Sequence, residues 1–150
     1  MSLSTSQSVG FSDPVHDSQR SFRAIMNALA HPAEPHPFNP PNSGCGALSA
    51  EAAAILLTLA DYDTPVWLGG NAGNPAGSAD VREFVSFHCS APITDDRAQA
   101  AFALIADSAG VTRLEEFTQG EPEYPDRSLT LIVQVESFSD GPWRFSGPGL

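Results

Sequence analysis

The sequence contains no lysine. All seven of its basic residues are arginine: Arg20, Arg23, Arg82, Arg97, Arg113, Arg127 and Arg144. That absence excludes two chemistries. A pyridoxal-phosphate enzyme needs a lysine amine for its internal imine, and a Walker-type phosphate loop needs its lysine on the nucleotide phosphates. Any anion held by these residues must meet arginine forks, backbone N–H groups or helix N-termini. Positive charge is scarce altogether, 7 Lys plus Arg against 18 Asp plus Glu, for a net charge of −11. Binding to nucleic acid or to an anionic membrane surface runs on cationic side chains, so neither is expected. Cysteine is also scarce: Cys45 and Cys89 form neither a disulfide framework nor a Cys-x-x-Cys pair. No apolar run approaches the roughly 18 residues of a membrane span, and the polar stretch Met1 to Gln19 has no secretory core. A cytoplasmic protein with reduced thiols is expected.

What is present is the composition of a globular chain. The 150 residues are 41% hydrophobic and 17% charged, the length of one domain over residues 1–150. Such a chain buries roughly 70% of the surface its unfolded form exposes, enough to fold without a metal or disulfide. Asp13-Pro14 predicts an N-cap and first helical residue, and Phe22, Ile25, Met26 and Leu29 form one apolar stripe on a helix ending before Pro32. Five prolines between His31 and Pro41 predict an extended covering or edge segment. Ser49 caps a second helix through Ala60, apolar nearly all round and so buried on more than one side. Val66-Trp67-Leu68 reads as a buried strand, Ser78 to His88 as a helix with Val81, Phe84 and Val85 inward, and Ala100 to Ala106 as a strand. Thr112 to Thr118 reads as a short acidic helix, Leu129 to Glu136 as a central strand, and Trp143 to Phe145 as a last short one. This alternation predicts a layered α/β domain.

The candidate chemistry is incomplete at every point. The glycine-rich run Gly69 to Gly77 follows a strand, where α/β sheets place phosphates, but it fits no dinucleotide spacing and reads as a flexible loop. His88 and Cys89 are adjacent, which suits a tetrahedral metal poorly, and no metal site is expected. His88 ends a helix, where a cation and a hydrogen bond to an open carbonyl are favoured. Asp61 and Asp63 sit before Pro65 in a turn that wants aspartate for local bonds. Arg127, in Tyr124-Pro-Asp-Arg-Ser128 before a strand, is placed to grip an anion, with a surface ion pair as its ordinary alternative. Arg23 stands one residue after Phe22, about 100° round the helix at the flank of the apolar stripe.

Several stretches in order resemble one family. These are Asp17-Ser-Gln-Arg-Ser-Phe-Arg23, the helix-turn-strand piece Leu56 to Leu68 ending Asp-Thr-Pro-Val-Trp-Leu, and Phe87-His-Cys-Ser-Ala-Pro-Ile93. Tyr124-Pro-Asp-Arg-Ser128 running into Leu129 to Val135, and Ser146-Gly-Pro-Gly-Leu150, complete the set. Together they are similar to the PhnH family, the H subunit of the bacterial carbon–phosphorus lyase core complex. The resemblance implies a three-layer α/β/α domain with a mixed sheet, shaped like the large domain of pyridoxal-phosphate transferases without the cofactor site. It implies no cofactor, partners among the other subunits of the complex, and an accessory, noncatalytic role at the ribose-phosphonate (nucleoside transfer) step. Asp17, Arg23, Asp63, Thr64, His88 and Arg127 are the candidate ligand- or partner-binding residues, and none is expected to be catalytic. Two other readings stand beside this one: a small enzyme or binding module for an anionic nucleotide or phosphonate acting through Arg23, Arg127 and His88, and a plain dimeric interaction domain. A homodimer of the isolated chain is expected, on the grounds of the two-sided helix Ser49 to Ala60 and an uncovered end. Family members continue past Gly-Pro-Gly-Leu150, so a shortened C-terminus with an open sheet edge is also expected.

Overall fold

In the computed structural model of the chain, the described residues are 10–69, 78–107, 113–139, 141, 144 and 146–147. The first helix, α1 (Pro14–Ala30), starts where the sequence places it, with the Asp13 side chain accepting from His16 N and proline in the first turn. After the proline tract, which is neither helix nor strand, comes α2 (Ala50–Leu59), capped by Ser49 Oγ accepting from Ala52 N. Strand β1 (Val66–Gly69) follows the turn at Asp61 to Thr64. Helix α3 (Ala79–Phe84) runs into a π turn (Val85–Cys89), which ends at Ser90 in the left-handed region, φ 55°. A short 3-10 turn (Arg97–Gln99) leads to β2 (Phe102–Ile105), and two more (Leu114–Glu116, Pro125–Arg127) precede β3 (Thr130–Val133).

The strands form one parallel sheet in the order β1-β2-β3, with Val66 beside Phe102 and Phe102 beside Thr130. Antiparallel pairing among the described residues is confined to isolated bridges, Cys45 with Leu48 and Glu121 with Tyr124. Parallel strands lie buried on both faces, which is why Val-Trp-Leu-Gly, Phe-Ala-Leu-Ile and Thr-Leu-Ile-Val are nearly unbroken apolar runs. One face carries Val66, Leu68, Leu104 and Ile132 into the main core, where Ala52, Ala53 and Leu56 of α2 and Val81, Phe84 and Val85 of the third helical segment meet them. The opposite face presents Trp67, Ala103 and Ile105, the last two fully buried.

Three expectations are corrected here. Most of the apolar stripe of α1 does not face the core: Ile25 is half-buried, but Phe22, Met26 and Leu29 are 48%, 47% and 67% exposed, whereas Asp17 and Ser21 are each 1% exposed. Helix α1 lies on α2 through its small and polar side, because short side chains let two helix backbones approach closely. The strand expected at Leu129 to Glu136 is shorter and is an edge, since β3 pairs with β2 alone among the described residues. The acidic helix shrinks to one 3-10 turn, bounded by Arg113 in the left-handed region at φ 53° and by Phe117, whose extended backbone ends it. Trp143 and Phe145 of the expected last strand, and residues 70–77 of the glycine-rich loop, fall outside the described residues.

Candidate functional site

The amino ends of the three strands gather most of the loops that carry candidate residues. Ala101 N donates to Pro65 O at 2.8 Å, Thr130 N to Ala101 O at 3.0 Å, and Leu129 N to Thr118 O at 2.9 Å, so the entries to β1, β2 and β3 are tied side by side. In this edge Asp61 to Pro65 forms the turn the sequence predicts. Asp61 Oδ1 accepts from Asp63 N at 3.0 Å, and Thr64 Oγ1 accepts from Asp61 N at 2.6 Å while donating to Asp61 O. Asp63 is exposed, and Thr64 is occupied by the turn itself.

Beside them lies a groove of about 460 Å³, lined by Gln99, Phe102, Thr118, Asp126, Arg127, Ser128 and Thr130. The Arg127 guanidinium sits 4.0 Å from the centre of the Tyr124 ring, a stacking that restrains this residue of the lining. Hydroxyls from Thr118, Ser128 and Thr130 share the lining with the Asp126 carboxylate. The chemistry offered is recognition of an anion or of a mixed polar surface. Open α/β sheets collect ligands at the carboxyl ends of their strands, so a position before β3 is not the usual ligand edge, against the sequence-based placement of Arg127.

Other candidates lie elsewhere. Asp17 is buried at the start of α1, where Oδ2 accepts from Asp13 N at 3.0 Å and Oδ1 from Arg20. The Asp13 N–H first, then the Arg20 guanidinium, hold its carboxyl below the usual aspartate range. Arg23 is exposed on α1 and makes no ion pair among the described residues. His88 is half-buried in the π turn, its ring 5.0 Å from Phe84 and edge-on to Phe87 at 4.9 Å. Gly10 passes so close that a Cβ there would stand 2.8 Å from His88 Nδ1. Burial pushes the neighbouring Cys89 thiol up to about 12, and Cys45 is raised by burial too, so neither supplies a thiolate near neutral pH. No group of three or more His, Cys, Asp or Glu side chains among the described residues could hold a metal ion. No described helix is long and apolar enough to cross a membrane.

Two constellations escape sequence reasoning. On the sheet face opposite the main core, Arg97 lies over Trp67, 4.8 Å from the ring centre, and 5.6 Å from that of Phe117; Glu116 binds both Arg97 and Arg113. A glycine two residues after a strand tryptophan was the available signal, since both share one face. At the carboxyl edge, Gln134 ties β3 to α2 and β2 through three hydrogen bonds. One glutamine in a strand gives no such sign.

A family model described as bacterial phosphonate metabolism protein (PhnH) matches residues 9–150. Alpha-D-ribose 1-methylphosphonate 5-triphosphate synthase subunit PhnH of Rhizobium meliloti (strain 1021) is 37% identical over 142 residues, covering 93% of this chain and 68% of the relative.

Proposed function

The chain belongs to the PhnH family of bacterial phosphonate metabolism proteins, and from that membership we propose that it is an accessory, noncatalytic subunit of the carbon–phosphorus lyase core complex. In this reading it supports the step that joins an organophosphonate to the ribose of a nucleoside triphosphate, in the cytoplasm. The observation that carries it is the 37% identity, along nearly the whole chain, to a protein named as one subunit of such a synthase. The same reading takes the fold as three-layered, like the large domain of pyridoxal-phosphate transferases. Supporting it are α2 and α3 on one sheet face and the fully buried Ala103 and Ile105 on the other. Self-association of the isolated chain into a homodimer belongs to it as well. Helix α2, whose apolar sides are taken up within the chain, is not the surface; the edge strand β3, with Val135 and Phe138 exposed beyond it, suits strand pairing.

A second reading, anion binding through arginine, is favoured by the groove beneath Arg127. One assay separates the two: growth on methylphosphonate of a strain lacking its own family member. Under the accessory reading the wild-type chain restores growth, any growth lost with Arg127→Ala goes with lost binding to the other subunits, and the purified chain alone turns over no phosphonate. Growth lost with an Arg127→Ala protein that keeps its melting temperature and still co-purifies with those subunits favours the second reading. Turnover by the isolated chain overturns the first.

A further inference from the structure

We propose that the outer face of α1 seats an amphipathic helix of a different polypeptide, one that sets an acidic side chain opposite Arg23. This rests on the subunit reading above and deepens it by naming the surface and the chemistry of what covers it. Helix α1 buries the side its pattern would leave exposed. Its buried positions are Asp17 and Ser21 and Ile25 is half-buried, whereas the large apolar side chains Val15, Phe22, Met26 and Leu29 lie roughly a third of a turn from the buried pair and are 64%, 48%, 47% and 67% exposed. The fold therefore spends the polar side of the helix on α2 and leaves the amphipathic side open. Scattered exposed apolar residues are ordinary, but these four fall at spacings of seven, four and three, a continuous helical seam.

The surface is shaped as well as apolar. A groove of about 360 Å³ runs between Val15 and Phe22 on α1 and Thr58 near the end of α2. It is a depression into which a partner side chain can insert, in the manner of a knob.

Charge selects the occupant. Arg20 is bound to Asp17, but Arg23, on the rim of the seam away from α2, has no ion pair among the described residues of a chain whose net charge is −11. A second copy is a poor occupant. Packed antiparallel about a two-fold axis crossing the middle of the seam, two α1 helices set Arg23 against Arg23; packed parallel, each Arg23 meets the rim of Ser18 and Ile25, which offers no carboxylate, since Asp17, the one acidic residue of α1, is buried. A different chain with Asp or Glu at that place gains where self-pairing loses.

The test is co-expression of the full chain with the other core-complex subunits, followed by titration of the purified chain against that partner assembly. Met26→Glu and Phe22→Asp are expected to weaken binding by about tenfold or more, Arg23→Glu by about tenfold, and Arg23→Lys by less than about threefold. Because the sites are exposed, melting temperatures stay within about 3 °C of wild type; Arg23→Glu and Arg23→Lys carry the test if an apolar-site variant fails to fold. Wild-type binding with all foldable variants equal to it overturns the inference and leaves the subunit reading intact. No binding by the wild-type chain overturns both. Variants that dissolve a homodimer while the assembly still binds them normally overturn the choice of occupant.

Discussion

The side-chain amide of Gln134, at the carboxyl end of β3, receives the backbone N–H of Ser49, the N-cap of α2, on its Oε1 at 2.7 Å. Its Nε2 donates to Ala47 O at 2.8 Å and to Ala106 O at 3.2 Å, so one residue joins the segment before α2 to the ends of β2 and β3. Replacing it with alanine leaves a part-buried donor and two acceptors without partners. Gln134→Ala is expected to cost about 2–3 kcal/mol, a fall of roughly 4–12 °C in Tm for a domain of this size. Gln134→Glu, which turns an amide donor into a carboxylate beside two carbonyls, should be worse. Thermal melts of the two variants check this; a Tm within 2 °C of wild type for both would remove Gln134 from the account.

Trp67 and Gly69 form a second pair. A Cβ at Gly69 would lie 2.0 Å from two atoms of the Trp67 indole, so the ring lies over the strand where the glycine leaves room. Gly69→Ala must swing the indole away from Phe117 and Arg97, an overpacking cost of about 1–3 kcal/mol. Near-UV circular dichroism should lose part of its tryptophan signal. An unchanged spectrum and Tm would show that the strand accepts a methyl there.

Acid should weaken the fold through specific carboxylates. Asp17 is held below its ordinary value by the Asp13 N–H and then Arg20, and Glu116 by the hydrogen bond from Arg113 before the charge of Arg97. In each case the folded state favours the charged form. The resulting stability is fully present above the unfolded values, near pH 4–4.5, and is lost as pH falls through the lower folded values. Denaturant melts from pH 6 to 2.5 should show Asp17→Asn less stable than wild type at pH 6 but flatter in its acid limb. Parallel curves would refute the assignment.

Thiol reactivity offers a simple check on the core. Cys45 and Cys89 are both buried, and the Cys89 thiol is pushed up to about 12 by that burial. At pH 8 neither should react with Ellman's reagent on the timescale of minutes, and both should react at once in 6 M guanidinium. Rapid reaction in the native protein would place one of them at the surface.

The elements were legible where a local rule is strong. Asp13-Pro14 and Ser49 start their helices as capping chemistry requires, and the turn at Asp61 to Thr64 uses the side-chain bonds its residues suggest. Periodicity in α1 found its apolar side correctly, yet could not say that α2 would pack on Asp17 and Ser21 instead, because the choice of contact face is made between segments. The same limit hid the placement of β3 at an edge among the described strands, for a strand's neighbours are set by topology and its own pattern reports only burial. Arg97 over Trp67 and Gln134 on Ser49 join residues 30 and 85 positions apart, beyond the reach of any spacing rule.

Membership of the complex is read directly from the mass of what the full chain carries with it. A tagged copy, co-expressed with the untagged subunits of the carbon–phosphorus lyase core complex, is purified and passed through gel filtration with light scattering. The account predicts a single peak holding the chain together with those subunits in fixed ratio. A tagged chain eluting alone, with every other subunit in the flow-through, would contradict it.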